Sequence, residues 1–234
     1  MPDIVGGDND GYIYTYPGAW NTIRAVTSAA TADANNVSDS NAVSHIYFTR
    51  RGTHVIRRAF FEFDTTGITT VAPSAATLKV FGVTQDGGDI MAVRSNQTSD
   101  PLHRSDFAAL VGDGSAPTVS TQLGNTDGSN GGTFASVPGL AYLDDFVDDW
   151  DDGDYNDLTL NETARDDMLD LDTLKVCIMI KADYEDDATT PGTDTDEMIG
   201  LRWQENGVGK YPYIDYVAGT AAAADNATFF GANF

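Results

Sequence analysis

Nine short runs in this chain alternate apolar and polar residues with a period of two, and turn-forming residues fill the gaps between them. The runs are Tyr12–Tyr16, Val43–Thr49, His54–Phe63, Thr77–Val83, Asp89–Arg94, Asp157–Leu160, Leu174–Lys181, Met198–Trp203 and Tyr211–Val217. A period of two is that of a strand lying half-buried on a sheet. In the seventh run Leu174, Val176, Ile178 and Ile180 are predicted on one face, with Lys175, Cys177, Met179 and Lys181 on the other. The order carries no strand–helix–strand rhythm, which points to antiparallel pairing. The expected fold class is all-β, an antiparallel β-sandwich (jelly roll) with a few short helices in the connections. Its predicted core includes Phe61, Phe63, Leu78, Val80, Val176, Ile178 and Ile180.

The acidic residues support that reading. Of 36 acidic residues only five are glutamate, which leaves 31 aspartates. Aspartate hydrogen-bonds neighbouring backbone amides, so it favours turns and helix caps over helix interiors. Three helices are nevertheless predicted. Ser105 begins one through Leu110, Asn161 caps Glu162–Leu169, and Leu140–Trp150 carries an amphipathic stripe with aspartates on its far side. Residues 1–6 are read as an N-terminal arm, 7–217 as one domain with an insertion at about 112–150, and 218–234 as a C-terminal tail.

With a net charge of −23 the chain is a poor match for nucleic acid, whose phosphates demand clustered Lys and Arg. Anionic membrane surfaces are disfavoured for the same reason, and no apolar run is long enough to span a bilayer. The start of the chain shows neither the basic nor the apolar segment of a secretory signal, so synthesis in a cytoplasm is the expectation. One cysteine, Cys177, permits no intrachain disulfide and is read as a packing residue.

Metal and catalytic chemistry find little purchase. Asp8, Asn9, Asp10 and Gly11 suggest a calcium loop, but with Gly11 at the sixth position the first is Gly6 and the twelfth Pro17. Both obligatory ligands are missing, so the stretch is read as a turn leading into a strand. The acidic tracts at 144–157 and 183–197 offer oxygen ligands, yet acidic runs ordinarily serve solvation, and no cofactor is expected beyond the weak possibility of calcium there. His45, His54 and His103 stand in no metal or triad spacing, no nucleophile elbow or phosphate loop occurs, and no catalytic residue is assigned.

Three groups are candidates for binding. Arg50, Arg51, Arg57 and Arg58 flank a predicted hairpin turn near Gly52. They either pair with nearby aspartates or, through Arg50 and Arg51, dock an acidic partner. Phe229, Phe230 and Phe234 close an alanine- and glycine-containing tail and suit an anchoring arm. Trp20, Trp150 and Trp203 are the sugar-stacking candidates, set against the commoner role of aromatics as sandwich core.

The segments "GDNDGYIY", "RRAFFEFDTTGI", "SAATLKVFG", "DPLHRSDF" and "YNDLTLNETARDDM" follow one another in order, ahead of "LKVCIMIKADYEDD", "TPGTDTDEMIGLRWQENG" and "YPYIDYV". Together they resemble the DNRLRE and carbohydrate-binding-module-like jelly-roll modules of tailed-phage virion proteins and bacterial surface proteins, over roughly residues 7–217. The resemblance implies a scaffold without shared catalytic residues. It makes the expected function that of a virion structural protein, a capsid decoration (cement) protein. Expected partners are then the capsid shell, other virion proteins or further copies of the chain. The alternative is a glycan-binding host-recognition module on a tail fibre or tail tip, with a cell-surface glycan as ligand.

Overall fold

The computed structural model describes residues 3–7, 10–24, 26, 29–34, 38–48, 50–97, 102–110, 134, 139–187, 197–204 and 209–221. All nine predicted runs form strands. In chain order the strands are β1 (Asp3–Val5), β2 (Gly11–Tyr14), β3 (Thr31–Ala34), β4 (Ser38–Phe48), β5 (Thr53–Asp64) and β6 (Ala75–Asp86). They continue with β7 (Ile90–Arg94), β8 (Tyr155–Thr159), β9 (Thr173–Ile180), β10 (Glu197–Arg202) and β11 (Tyr213–Val217). Every pairing is antiparallel, and the fold is an all-β sandwich. Two strands were not anticipated. β3 pairs with β2, and β1, read from the sequence as part of an arm, instead pairs with β11.

Pairing runs in the order β1-β11-β6-β10-β4-β5-β2-β3, with β8 joined to β6, β9 to β5 and β7 to β9. β5 and β6, each of 12 residues, are long enough to change partners along their length. Residues 53–57 of β5 pair with β4, and residues 59–64 pair with β9. On β6, residues 75–79 pair with β11 and 82–86 with β10. The change on β6 occurs at Gly82, whose amide donates to the Asp154 carbonyl at 2.9 Å while the Gly153 amide donates back to it at 3.0 Å. A Cβ at Gly82 would lie 2.0 Å from the Asp151 carbonyl oxygen, so only glycine admits the crossing loop.

The predicted core residues are all buried. Trp203 joins them, its ring centroid 5.3 Å from that of Phe61 and 6.4 Å from that of Tyr12. The facing expected for β9 holds only in part. Leu174, Val176, Ile178 and Ile180 are buried together, but Cys177 and Met179 on the opposite face are fully buried too. That second face lies under a layer of short elements, so β9 and β5 are covered on both sides. Two of these are helices without a sequence signature of their own, α1 (Trp20–Arg24) and a later helix, Lys181–Glu185.

Asn161 caps a helix as expected. This is α2 (Glu162–Asp170), where the Asn161 side-chain oxygen accepts from the Ala164 amide at 3.1 Å. The later helix Lys181–Glu185 is α3. The turn expected from Ser105 is a 3-10 helix, Arg104–Ala108, capped by His103 in place of Ser105. The amphipathic helix predicted over Leu140–Trp150 does not form. This stretch runs beside β7, whose other edge is taken by β9. Tyr142 donates to Ala92 at 2.9 Å, and Val147 and Ile90 exchange hydrogen bonds at 3.0 Å. Leu140, Tyr142, Leu143 and Trp150 are buried in either geometry, and the four aspartates between them are poor helix formers beside an open sheet edge.

Replacing Gly82 with Ala should lower stability by about 1–3 kcal/mol through overpacking against the 150–154 loop. Urea unfolding checks this; a parent-like midpoint would show that the loop can yield.

Candidate functional site

β4 and β5 form a hairpin closed by Phe48 opposite Thr53. The Arg51 and Gly52 amides both donate to the Phe48 carbonyl, at 3.1 and 2.9 Å, and Gly52 takes φ +61°, a left-handed conformation that glycine adopts without strain. The tight turn points Arg50 and Arg51 outward, and both are exposed. Phe48 is 45% exposed beside them. Tyr16, 68% exposed, sits on the segment that flanks the other edge of β5, where Thr15 bonds to Ile56 and Gly18 to His54.

The four arginines of this region divide into two pairs. Arg57 and Arg58, adjacent on β5, point to opposite faces of the sheet, Arg57 half-buried and Arg58 fully buried. Arg57 stacks on Tyr12 and Tyr14, 5.1 and 4.9 Å from their centroids, and donates to the Asn41 carbonyl at 2.9 Å. Arg58 is fully buried against Asp183. Pairing with aspartate therefore explains Arg58, whereas Arg50 and Arg51 form no ion pair with a described residue. Four other cations pair with acids of the chain itself: Lys79 with Asp157, Arg94 with Asp167, Lys175 with Glu62 and Lys181 with Asp89.

Under the hairpin lies a buried polar cluster that the sequence reading did not assemble. Arg58 Nε and Nη2 donate to the two Asp183 carboxylate oxygens at 2.7 and 2.9 Å, and its Nη1 donates to the Phe107 carbonyl at 2.6 Å. Arg24 of α1 reaches the same aspartate, Nε to the carboxylate at 3.2 Å and Nη2 to the Asp183 carbonyl at 2.7 Å. Its Nη1 lies 2.6 Å from Asp186, which also accepts from Trp20 Nε1 at 2.8 Å. Asp186 occupies the C-cap of α3 at φ +59°, a left-handed position usually given to glycine or asparagine. Burial alone would raise the Asp183 pKa, but the charge and hydrogen bonds of Arg58, joined by those of Arg24, hold it below the ordinary value.

Beside this cluster, His45 Nε2 and His54 Nδ1 are 2.8 Å apart. Trp20 covers both rings, with centroids at 4.7 and 5.4 Å. The two histidines stand nine residues apart across a turn near Gly52, which makes them diagonal neighbours in the ladder; that spacing was the available signal.

The remaining candidates fall elsewhere. Trp20, Trp150 and Trp203 are all buried, so the alternative of a sugar-stacking platform is corrected in favour of the core role: their flat faces are closed by packing. Cys177 is buried, and burial pushes its thiol pKa far up, as suits packing. Gly11 opens β2 as the turn reading required, and Asp10 is buried with one oxygen accepting from the Gln204 amide at 2.9 Å. Among the described residues no group of three or more His, Cys, Asp or Glu is placed to hold a metal ion. Phe229, Phe230 and Phe234 lie outside the described residues, as do Asp8, Asn9 and residues 188–196 of the second acidic tract. Among known proteins, no family model and no curated sequence matches the chain.

Replacing Asp183 with Asn would leave two buried guanidinium groups without their shared counter-charge, at a cost of about 3–5 kcal/mol. Because the folded pKa of Asp183 is depressed, its contribution is full above the unfolded value of 3.8 and is lost as pH falls through the folded one. Thermal unfolding of the variant between pH 7 and pH 3 checks both statements.

Proposed function

We propose that this chain is a non-catalytic structural protein that docks on a larger assembly through the tip of its β4–β5 hairpin. The observation that carries the reading is a pair of adjacent exposed arginines, unpaired among the described residues, on a chain of net charge −23. Phe48 beside them supplies apolar surface to an otherwise electrostatic contact. The partner surface that fits is acidic with an apolar centre, since complementary charge steers association and suppresses wrong partners. The strongly acidic remainder of the surface keeps crowded copies soluble and apart.

The setting comes from the order of segments in the sequence, which resembles that of jelly-roll modules of tailed-phage virions. On that reading the chain is a capsid decoration (cement) protein, made in a host cytoplasm and resident in the virion, with the shell protein as its partner. The tail bearing Phe229, Phe230 and Phe234 serves as a second anchor.

The test is cosedimentation of the purified chain with capsids of the phage that encodes it. The Arg50→Glu/Arg51→Glu pair should abolish binding while shifting stability by only about 0.5 kcal/mol, as expected of exposed positions. Parental binding should weaken as salt is raised. Parent-like binding by the double variant would remove the tip from the interface. Absence of the polypeptide from purified particles would remove the virion assignment itself.

A further inference from the structure

The His45–His54 pair serves neither the docking tip nor the main core, and its geometry has a chemical consequence. The rings are stacked, with centroids 5.1 Å apart and planes within 14°. A contact of 2.8 Å between two ring nitrogens requires one to donate and the other to accept, so it holds one proton. When both imidazoles become cations, two N–H groups face each other and the hydrogen bond is lost.

The surroundings make that event consequential. His45 is fully buried, and its Nδ1 has no hydrogen-bond partner among the described residues. Trp20 of α1 covers both rings, and Tyr47 of β4 lies with its centroid 4.7 Å from that of His54. The charged groups around the pair come from four elements. α1 contributes Arg24, β5 contributes Arg58, the α3 region contributes Asp183, Asp186 and Asp187, and β10 contributes Glu197, opposite His45 in the ladder. Asp183 is already engaged by two arginines and Asp186 by Arg24 and Trp20. Glu197 is held toward its neutral form by burial and then by Asp89 and Asp187. Full protonation of the pair therefore meets anions that are mostly engaged by other groups or held toward neutrality, and Asp187, whose charge favours the His45 cation, does not outweigh burial.

We propose that the His45–His54 pair is an acid-operated latch: bridged by one proton it clamps α1 onto the β4–β5 hairpin, and full protonation releases α1 and loosens the hairpin. Because the same hairpin carries Arg50 and Arg51 at its tip, acid would disorder the docking surface. The latch itself stands whatever that surface binds.

The direction of the pH dependence follows from linkage. Burial, and then the neighbouring His54, lowers the His45 pKa from 6.5 to about 4, against the weaker opposing effects of Asp183 and Asp187. Burial lowers that of His54 as well. The unfolded or opened chain thus binds more protons between pH 6.5 and about 4, and the closed state loses stability as pH falls through that window. Each proton taken up changes the opening equilibrium by about tenfold per pH unit, so the two that convert the bridged pair into two cations change it by up to about a hundredfold. The depressed pKa of Asp183 places its own loss below 3.8, outside most of the window.

The experiment follows the full chain from pH 7 to pH 4 by hydrogen exchange of amides 44–57, corrected for intrinsic rates, and by tryptophan emission. A Trp20→Phe variant assigns the emission change to Trp20. The parent should show about tenfold to a hundredfold more opening per pH unit, accompanied by a change in Trp20 emission. His45→Gln, which keeps an amide donor for His54 but cannot take the second proton, should flatten the response, and His54→Gln should do likewise. A slope in both variants equal to the parent's would overturn the latch and assign the transition to carboxylates. Should neither variant fold, imidazole NMR titration of the parent decides. Two coupled steps that accompany hairpin opening support the latch, whereas independent titration near 6.5 with no change at Trp20 overturns it.

Discussion

The ion cluster centred on Asp183 is the interaction on which the covered face of the sheet depends. A carboxylate with no exposure to water is tolerated only when its charge and lone pairs are satisfied, and here two guanidinium groups and their hydrogen bonds do so. The geometry leaves little freedom. Arg58 is fixed by the alternation of β5, with its guanidinium carbon 3.9 Å from the Phe107 ring centroid. Arg24 can reach the same carboxylate only if α1 lies across the hairpin, and Asp183 only if the chain turns into α3 directly after β9. One aspartate thereby ties together elements separated by 125 and 159 residues in sequence.

The cluster is needed because β5 and β9 have no solvent face in their central stretches. One side contributes Phe61, Phe63, Val176 and Ile178 to the space between the sheets. The other side places Phe60, Cys177 and Met179 under the short helices, together with Arg58. A layer made of five-residue helices has little propensity of its own, since elements so short are marginal without tertiary contacts. Its order comes from directional bonds: the arginines to Asp183, Trp20 to Asp186, and the imidazole contact beneath Trp20. Directional bonds also make the layer sensitive to charge, which a purely apolar cover would not be.

Outside this layer the surface is governed by surplus negative charge. The loop between Asp144 and Asp154 presents its carboxylates to water while Trp150 turns inward. Cations are drawn into pairs with nearby acids, so a cation left exposed stands out more on this protein than on a neutral one. Arg50 and Arg51 owe that status to a turn too tight to fold them back onto their own strands, with both closing amides committed to the Phe48 carbonyl.

Much of this architecture was legible in the sequence. Period-two alternation identified nine strands and the buried face led by Phe61, Phe63, Leu78 and Val80, because pleating alone decides which residues share a face. The Asn161 cap was legible because capping is local to one turn. Tertiary structure decided the rest. The Leu140–Trp150 stripe, helical in its spacing, became an irregular segment because the edge of β7 offered hydrogen bonds that a helix could not use. Trp20, Trp150 and Trp203 went to the interior, where burial of large apolar area outweighs any call for display. The sequence by itself determined strands, turns and net charge, all properties of neighbours in the chain. Which arginine met Asp183, which two stayed in water, and that His45 would share a proton with His54 were set by register and by the packing of short helices, through contacts between residues that local sequence does not connect.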